Sequence, residues 1–163
     1  MTVTTRASNK AFSISLGIWL LPLMGFTAVP DATINGPIAT EPHPSLNSIY
    51  GASAIELWDR GYVEEEYFIE GTANRYSATE MKNAEIVDRG HPYRSRLIVR
   101  RPVSAQDFNG VVVVEWINVT GGNDNDIDWW QVGDHLVRNG YAYVGVSAQQ
   151  DGLGRLRDWS PHP

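Results

Sequence analysis

The sequence contains no cysteine among its 163 residues. Disulfide bonds, thiolate zinc sites, iron–sulfur clusters and cysteine nucleophiles are therefore excluded within this chain. Positive charge is also scarce, with 13 Lys and Arg residues against 19 Asp and Glu residues and a formal net charge of −6. Because no block of Lys or Arg offers a surface for phosphate groups, the composition argues against nucleic acid or an anionic membrane as a partner.

The remaining composition is that of a folded protein, with 42% hydrophobic and 20% charged residues. Such a profile at this length predicts one globular domain. Four histidines are present for acid–base or metal chemistry: His43, His91, His135 and His162. His91 has no recognisable partner in the sequence. We expect no cofactor and no metal.

The first 28 residues have the order of a secretory signal peptide. Arg6 and Lys10 precede an uncharged, largely apolar run that extends to Pro30. A retained membrane anchor is the alternative, but polar residues and Pro22 interrupt the run, whereas a spanning helix needs about 20 predominantly apolar residues. We expect cleavage near Ala28 and export to the periplasm or the extracellular space. Cleavage there would remove two positive charges and leave a net charge of −8.

Residues 29–48 are rich in proline and are predicted to form an extended lead-in that joins neither a helix nor a sheet. The rest of the chain, residues 49–163, is predicted to form the folded part. A short helix is expected around Ala54–Asp59, ending at Gly61.

Two segments alternate in the manner of antiparallel strands. Residues 62–71 place several glutamates on what we expect to be a solvent-facing side. Residues 93–101 place Arg94, Arg96 and Arg100 opposite Leu97 and Val99. We expect these arginines to pair across the strands with the glutamates, as surface contacts worth only tenths of a kcal/mol.

The stretch from residue 111 to residue 147 predicts a parallel βαβ unit. Val111–Val114 run without alternation into Glu115, Trp116 and Ile117, which indicates a central strand covered on both faces. Apolar residues at helical spacing follow, from an expected cap at Asp128 to Arg138, with Gly140 as the stop signal. Tyr141–Ser147 then predicts the second strand.

The loop from Asn118 to Ile127 is the best candidate for a functional site, because ligands of parallel sheets bind beyond the carboxyl ends of strands. It is longer than most strand-to-helix connections. Its glycines allow close approach of the backbone, and free N–H groups near a helix start favour a developing negative charge. The candidate residues are Asn118, Val119, Thr120, Gly121 and Gly122.

Other motifs nearby carry weaker signals. Asp124, Asp126 and Asp128 alternate as in a calcium loop, but an EF-hand that started at Asp124 would have Trp129 where glycine is required. We therefore expect helix capping and a solvated loop, and calcium binding remains an alternative. Glu115 could be a buried carboxylate or could point outward at the strand end.

Ser147 lies in a segment that only partly matches a nucleophile elbow. Gly145-Val146-Ser147-Ala148-Gln149 ends in glutamine where the sharp turn requires a small residue. Residues 150–154 are predicted to form a loop rather than the helix that an elbow needs. Ser147 is therefore disfavoured as a nucleophile. His135 is expected to be a surface residue, and His91 is expected to lie in a loop.

Several blocks, taken together and in order, resemble the N-terminal part of a family of exported bacterial α/β-hydrolase domain proteins. The resemblance covers roughly residues 55–163, and no catalytic motif is among the blocks. They are Gly61–Tyr67, Tyr93–Pro102, Phe108–Thr120 and Arg138–Gln149.

The resemblance implies an α/β fold in which antiparallel strands lead into the parallel unit, with 111–117 and 141–147 as neighbours. It also implies that the Asn118–Gly122 loop donates an oxyanion-hole N–H for ester hydrolysis. Hydrolases of this fold place serine, acid and histidine after these strands. We therefore expect the chain to be an incomplete portion of the domain, with no catalytic residue of its own and with its triad beyond Pro163. The chain alone should be inactive.

A different class of function stays open. The chain has six tryptophans, and such side chains can stack on sugars or peptides. Trp116, Trp129, Trp130 and Trp159 would then make a small exported module that binds a carbohydrate or peptide ligand without catalysis.

Overall fold

The computed structural model describes residues 31–38, 49–79 and 83–159, with Trp159 described by its backbone alone. Two short 3₁₀ turns, Trp58–Arg60 and Ala105–Asp107, join the main elements. The strands are β1 (Thr33–Asn35), β2 (Tyr62–Ala78), β3 (Ala84–Pro102), β4 (Val112–Trp116) and β5 (Ala142–Ser147), and the helices are α1 (Ile127–Arg138) and α2 (Gln150–Trp159). The predicted signal peptide lies outside the described residues.

The five strands form one mixed sheet in the order β1-β2-β3-β5-β4. The pairs β1–β2, β2–β3 and β3–β5 are antiparallel. The pair β4–β5 is parallel, with Val112 opposite Ala142 and Trp116 opposite Val146. The prediction of antiparallel strands leading into a parallel βαβ unit is confirmed, as is the expectation that the two parallel strands are neighbours.

The sheet carries α1 on one face. Val113 and Glu115 of β4 are in register with Tyr143 and Gly145 of β5, and Tyr143 packs against Trp129 of α1 with ring centroids 5.0 Å apart. The hydrophobic core lies between this face and the helix. Its buried members are Leu57, Tyr62, Ile98, Ile117, Trp129, Leu136, Val137 and Tyr143.

The prediction that residues 111–117 form a central strand covered on both faces is wrong for the described structure. β4 is the last strand of the sheet, and its residues Val112, Val114 and Trp116 are exposed, Trp116 by 68%. These three side chains alternate with Val113 and Glu115 and therefore face away from α1. An apolar run indicates that a strand can be buried on both faces. It does not show which helices or strands cover those faces.

The helix α1 begins and ends close to the predicted positions, but its start is capped differently. Asp126 is the residue before the helix and its side chain makes no capping hydrogen bond, and Asp128 lies inside the first turn. Gly140, with φ of 71°, follows the helix as expected.

Three segments differ from the prediction. Residues 150–154, expected to be a loop, begin the helix α2, although they contain two glycines. Thr33–Asn35 lies in the stretch expected to join no sheet, but it pairs antiparallel with β2, with Ile34 opposite Ile69. The helix expected around residues 54–59 is a shorter 3₁₀ turn over Trp58–Arg60, which Gly61 ends with φ of 71°.

Among the described residues, no helix is both long and apolar enough to cross a bilayer.

Candidate functional site

The β4–α1 loop, residues Asn118 to Asp126, starts at the carboxyl end of β4. Asn118 and Asn125 pair with each other through two backbone hydrogen bonds, with N to O distances of 3.1 and 2.8 Å. Between them the chain turns back, with the Gly122 N–H donating to the Val119 carbonyl at 2.9 Å. The loop is therefore closed at its base and presents residues 119–122 as its tip.

The tip contains backbone donors that are not used inside the protein. The side-chain oxygen of Asn118 accepts from the Thr120 N–H at 2.9 Å. Within the described part of the chain, the N–H groups of Val119 and Gly121 have no acceptor. Gly121 is exposed and Val119 is half-buried. Two free N–H groups of this kind are what an oxyanion requires, although the predicted role of residues 118–122 stays a prediction.

The alternating aspartates of the loop do not form the solvated row that the sequence suggested. Asp124 and Asp126 are buried, and only Asp128 is exposed. Asp126 accepts a hydrogen bond from Arg100, while Asp124 accepts one from Ser147 and lies 3.8 Å from Nη1 of Arg96. Within residues 31–38, 49–79 and 83–159, no three His, Asp or Glu side chains form a group that could hold a metal ion.

Burial has a direct electrostatic consequence for Asp124. Desolvation raises the pKa of its carboxyl group, and the neighbouring Asp126 raises it further, while the Ser147 hydroxyl and Arg96 act in the opposite direction. The Oδ1 atom of Asp124 is buried and has no hydrogen-bond partner among the described residues.

The sequence left open whether Glu115 is buried or points outward. In the structure it is buried and points toward α1. Its two carboxylate oxygens accept the backbone N–H groups of Asp128 at 3.2 Å and Trp129 at 3.3 Å. The cap of α1 is therefore supplied by the neighbouring strand rather than by Asp128. A carboxylate at this end of a helix is also favoured by the helix dipole.

Arg96 and Arg100 were expected on a surface strand and instead lie beneath the loop. Arg100 is 0% exposed, bonds Glu64 and Asp126, donates to the Gly51 carbonyl at 2.8 Å, and has its guanidinium 4.5 Å from the centre of the Trp129 ring. Arg96 bonds Glu66 in the same way.

The predicted pairing of these arginines with the glutamates of β2 is confirmed, but the predicted solvent-facing side is wrong for Glu64 and Glu66, which are partly buried. The buried aspartates that complete the network come from the β4–α1 loop, remote in sequence. The signal that could have found the burial is the position of Arg96 and Arg100 on either side of Ile98 in a strand rich in Leu and Val.

Ser147 is fully buried at the end of β5, and its hydroxyl donates to Asp124. A helix does follow it, as in a nucleophile elbow. However, within the described residues only glycines have a positive φ, so Ser147 lacks the strained backbone of an elbow. Its buried, bonded hydroxyl is a structural group rather than a nucleophile.

The histidines do not converge on the loop. His91 lies on the exposed part of β3 and is 3.0 Å from Asp88, and His135 is an exposed residue of α1 beside Tyr141. His43 and His162 lie outside the described residues.

The tryptophans divide into two groups. Trp129 is buried in the core, where its indole N–H donates to Ser53 at 3.1 Å, so it cannot stack on a ligand. Trp58, Trp116 and Trp130 are exposed, and the side chain of Trp159 lies outside the described residues.

Comparison with known proteins agrees with the α/β character of the fold. The family model described as an alpha/beta hydrolase domain matches residues 34–162, well over half of the chain. No curated protein and no solved structure matches. The matched span contains the whole described sheet from β2 to β5, both helices and the β4–α1 loop. The chain therefore belongs to the alpha/beta hydrolase domain family.

Proposed function

We propose that this chain is the N-terminal part of a serine hydrolase that cleaves carboxylic esters, with the Asn118–Gly122 loop on the oxyanion side of the active site. The observation that carries the proposal is the loop itself, which follows a parallel strand of a hydrolase-family sheet and has free N–H groups at Val119 and Gly121. The serine, acid and histidine belong to a segment that follows residue 163.

The chemistry follows from this assignment. The serine oxygen attacks the ester carbonyl while the histidine takes its proton, and the carbonyl oxygen becomes an anion in the tetrahedral intermediate. The loop N–H groups hold that oxygen, which lowers the energy of the transition state more than that of the substrate. The alcohol leaves with the proton from histidine, and water then releases the acid.

The exposed face of β4 supports the need for a further segment. Val112, Val114 and Trp116 are all at least half exposed on the last strand of the sheet. A parallel strand is ordinarily covered on both faces, and an uncovered strand edge is a site of aggregation. A following segment that adds a strand beside β4 and a helix over this face would remove both features.

The first test is to read the gene past the codon for Pro163. The proposal expects a frame that continues into a strand, a Gly-x-Ser-x-small turn and a later histidine. The extended protein should hydrolyse p-nitrophenyl acetate, and residues 1–163 alone should not. A stop codon directly after residue 163, or an extended protein without esterase activity, would overturn the proposal.

A second test addresses the loop in the extended protein. Gly121→Pro removes one of the free N–H groups, and we expect kcat to fall by about 10²–10³, the usual cost of one oxyanion donor. Thr120→Ala is the matched control, because it changes the adjacent side chain and keeps every backbone N–H. Equal activity of the two variants would exclude Gly121 as a donor.

Export forms part of the proposal. Arg6 and Lys10 followed by an uncharged apolar run support cleavage near Ala28 and a periplasmic or extracellular protein. N-terminal sequencing of the protein recovered from its native compartment tests this. A mature protein that begins at Met1 would contradict it.

The second candidate function is a binding module, favoured by the exposure of Trp58, Trp116 and Trp130. If the frame stops at residue 163, this becomes the hypothesis to test. Titration with oligosaccharides and peptides should then change the tryptophan fluorescence, and Trp116→Ala should reduce the change.

A further inference from the structure

We propose that Ser147 and Asp124 form a clamp that holds the β4–α1 loop in the shape needed for oxyanion binding, so that both are positioning residues. The inference rests on the proposed function for its purpose, although the clamp can be tested without any enzymatic assay. It also assigns a role to Ser147, which is not a nucleophile.

The clamp joins the loop to the end of the neighbouring strand. Asp124 belongs to the loop, one residue before Asn125, which closes the loop base with Asn118. Its Oδ2 accepts the hydrogen bond from the fully buried Ser147 hydroxyl. Because Ser147 is the last residue of β5, this bond fixes the loop to the carboxyl end of the parallel strand pair.

A third element packs against the same point. A Cβ built on Gly152 of α2 would lie 1.8 Å from Oδ1 of Asp124 and 3.1 Å from Cγ1 of Val119. α2 therefore approaches both the clamp and the loop tip closely, and a side chain at position 152 would force the neighbouring atoms to shift. The close approach leaves the loop little room to move toward α2.

The negative charge of Asp124 lies close to the positive charge of Arg96. Nη1 of Arg96 lies 3.8 Å from Oδ2, and Arg96 is itself held by Glu66 and by the Tyr50 carbonyl at 2.5 Å. The side chain of Asp124 is 4% exposed, so its carboxylate depends on donors from the protein rather than on bulk water. Loss of the Ser147 hydroxyl would leave the buried Asp124 carboxylate without the hydrogen bond to its Oδ2 atom.

The consequence is a loop whose tip is free but whose base is fixed. The base at Asn118 and Asn125 and the clamp at Asp124 connect the loop that carries the Val119 and Gly121 N–H groups to the rest of the fold. Oxyanion donors act through fixed placement, because an ordered dipole needs no reorganisation during the reaction. Weakening the clamp should therefore loosen the donors without removing them.

The test measures amide hydrogen exchange by NMR in the chain of 163 residues. Ser147→Ala removes the donor, and we expect the Asn118 and Asn125 amides to exchange about tenfold faster, which corresponds to about 1.4 kcal/mol of local stability. Amides of β3, such as that of Val99, should be unchanged. Ser95→Ala is the matched control, because its hydroxyl donates to the Ser147 carbonyl and not to Asp124.

A second pair of variants separates the hydrogen bond from simple packing. Asp124→Asn keeps an oxygen that can accept from Ser147 and should retain the slow exchange of the loop, whereas Asp124→Ala should lose it. The proposal is overturned if Ser147→Ala leaves the loop amides unchanged, if β3 amides accelerate equally, or if Asp124→Asn behaves like Asp124→Ala. None of these outcomes depends on ester hydrolysis, so the clamp and the proposed function can fail separately.

Discussion

The phenol of Tyr143 donates a hydrogen bond of 2.6 Å to the carboxylate of Glu115 inside the core. The two residues lie on the adjacent parallel strands β5 and β4, and the same carboxylate caps the start of α1. Burial and the bond to Glu115 both raise the pKa of Tyr143, so the phenol remains protonated and keeps donating. One side chain thus joins all three parts of the βαβ unit.

Removing this carboxylate should therefore destabilise the fold. Glu115→Ala leaves the Tyr143 hydroxyl and two helix N–H groups without an acceptor, and we expect a loss of about 2–4 kcal/mol in the free energy of unfolding. Tyr143→Phe should cost less, about 1–2 kcal/mol, since Glu115 keeps its bonds to the helix. Urea denaturation measures both, with the exposed Glu85→Ala as control. Similar losses for Glu115→Ala and Glu85→Ala would contradict the cap.

Two neighbouring arginines on β3 should respond very differently to mutation. Arg100 is fully buried, and Arg100→Ala leaves Glu64 and Asp126 without their cation, at a cost of about 3–5 kcal/mol. Arg101 is 43% exposed and pairs with Glu65 at 3.0 Å, so Arg101→Ala should cost about 0–1 kcal/mol. Thermal and urea unfolding of the two variants give the comparison. Equal costs would show that the Arg100 network is accessible to water.

The buried carboxyl of Asp124 should make stability depend on pH. Its pKa in the folded state is raised above the ordinary value of 3.8, chiefly by burial, so the folded protein binds this proton more tightly than the unfolded chain. The contribution is fully present below pH 3.8 and is lost as the pH rises from there through the folded-state pKa. This carboxyl group is faced by Arg96, Asp126 and Ser147. Their effects on its folded-state pKa determine how wide the pH range of the loss is.

Asp124→Asn isolates this contribution. The difference in unfolding free energy, wild type minus Asp124→Asn, should fall as the pH rises through that range and then level off. Chemical denaturation at a series of pH values measures it, and Asp128→Asn, which changes an exposed aspartate of α1, is the control. A difference that rises with pH would mean that the folded-state pKa of Asp124 is lowered.

The two glycines of α2 provide a matched pair. A Cβ at Gly152 would lie 1.8 Å from Asp124, whereas a Cβ at Gly154 meets nothing within 4 Å. Gly152→Ala should therefore destabilise the protein by about 1–3 kcal/mol through overpacking. Gly154→Ala should stabilise it by about 0.5–1 kcal/mol, because alanine loses less entropy in a helix. Calorimetry should show a lower Tm for Gly152→Ala and a higher Tm for Gly154→Ala, which would confirm the packing of α2 on the loop. A higher Tm for Gly152→Ala would refute it.

The local elements could be predicted because short-range signals agree with each other. The period of the apolar residues marked α1, Gly140 marked its end, and the alternation in residues 141–147 marked β5. The helix α2 was missed, because its two glycines are weak helix formers and because its close approach to Asp124 and Val119 is a tertiary feature. Tertiary contacts of this kind leave no periodic signal.

The sequence by itself determined the antiparallel strands, the parallel βαβ unit that follows them, the loop after β4 and the family to which these belong. Those features follow from hydrophobic period, glycine stops and strand length, which act over a few residues. Only the tertiary structure decided that Arg96, Arg100, Asp124 and Asp126 are buried together, that Glu115 caps α1, and that Ser147 bonds the loop. These contacts bring together side chains that are distant in the sequence and remove them from water, where a buried charge is costly unless it is paired or hydrogen-bonded.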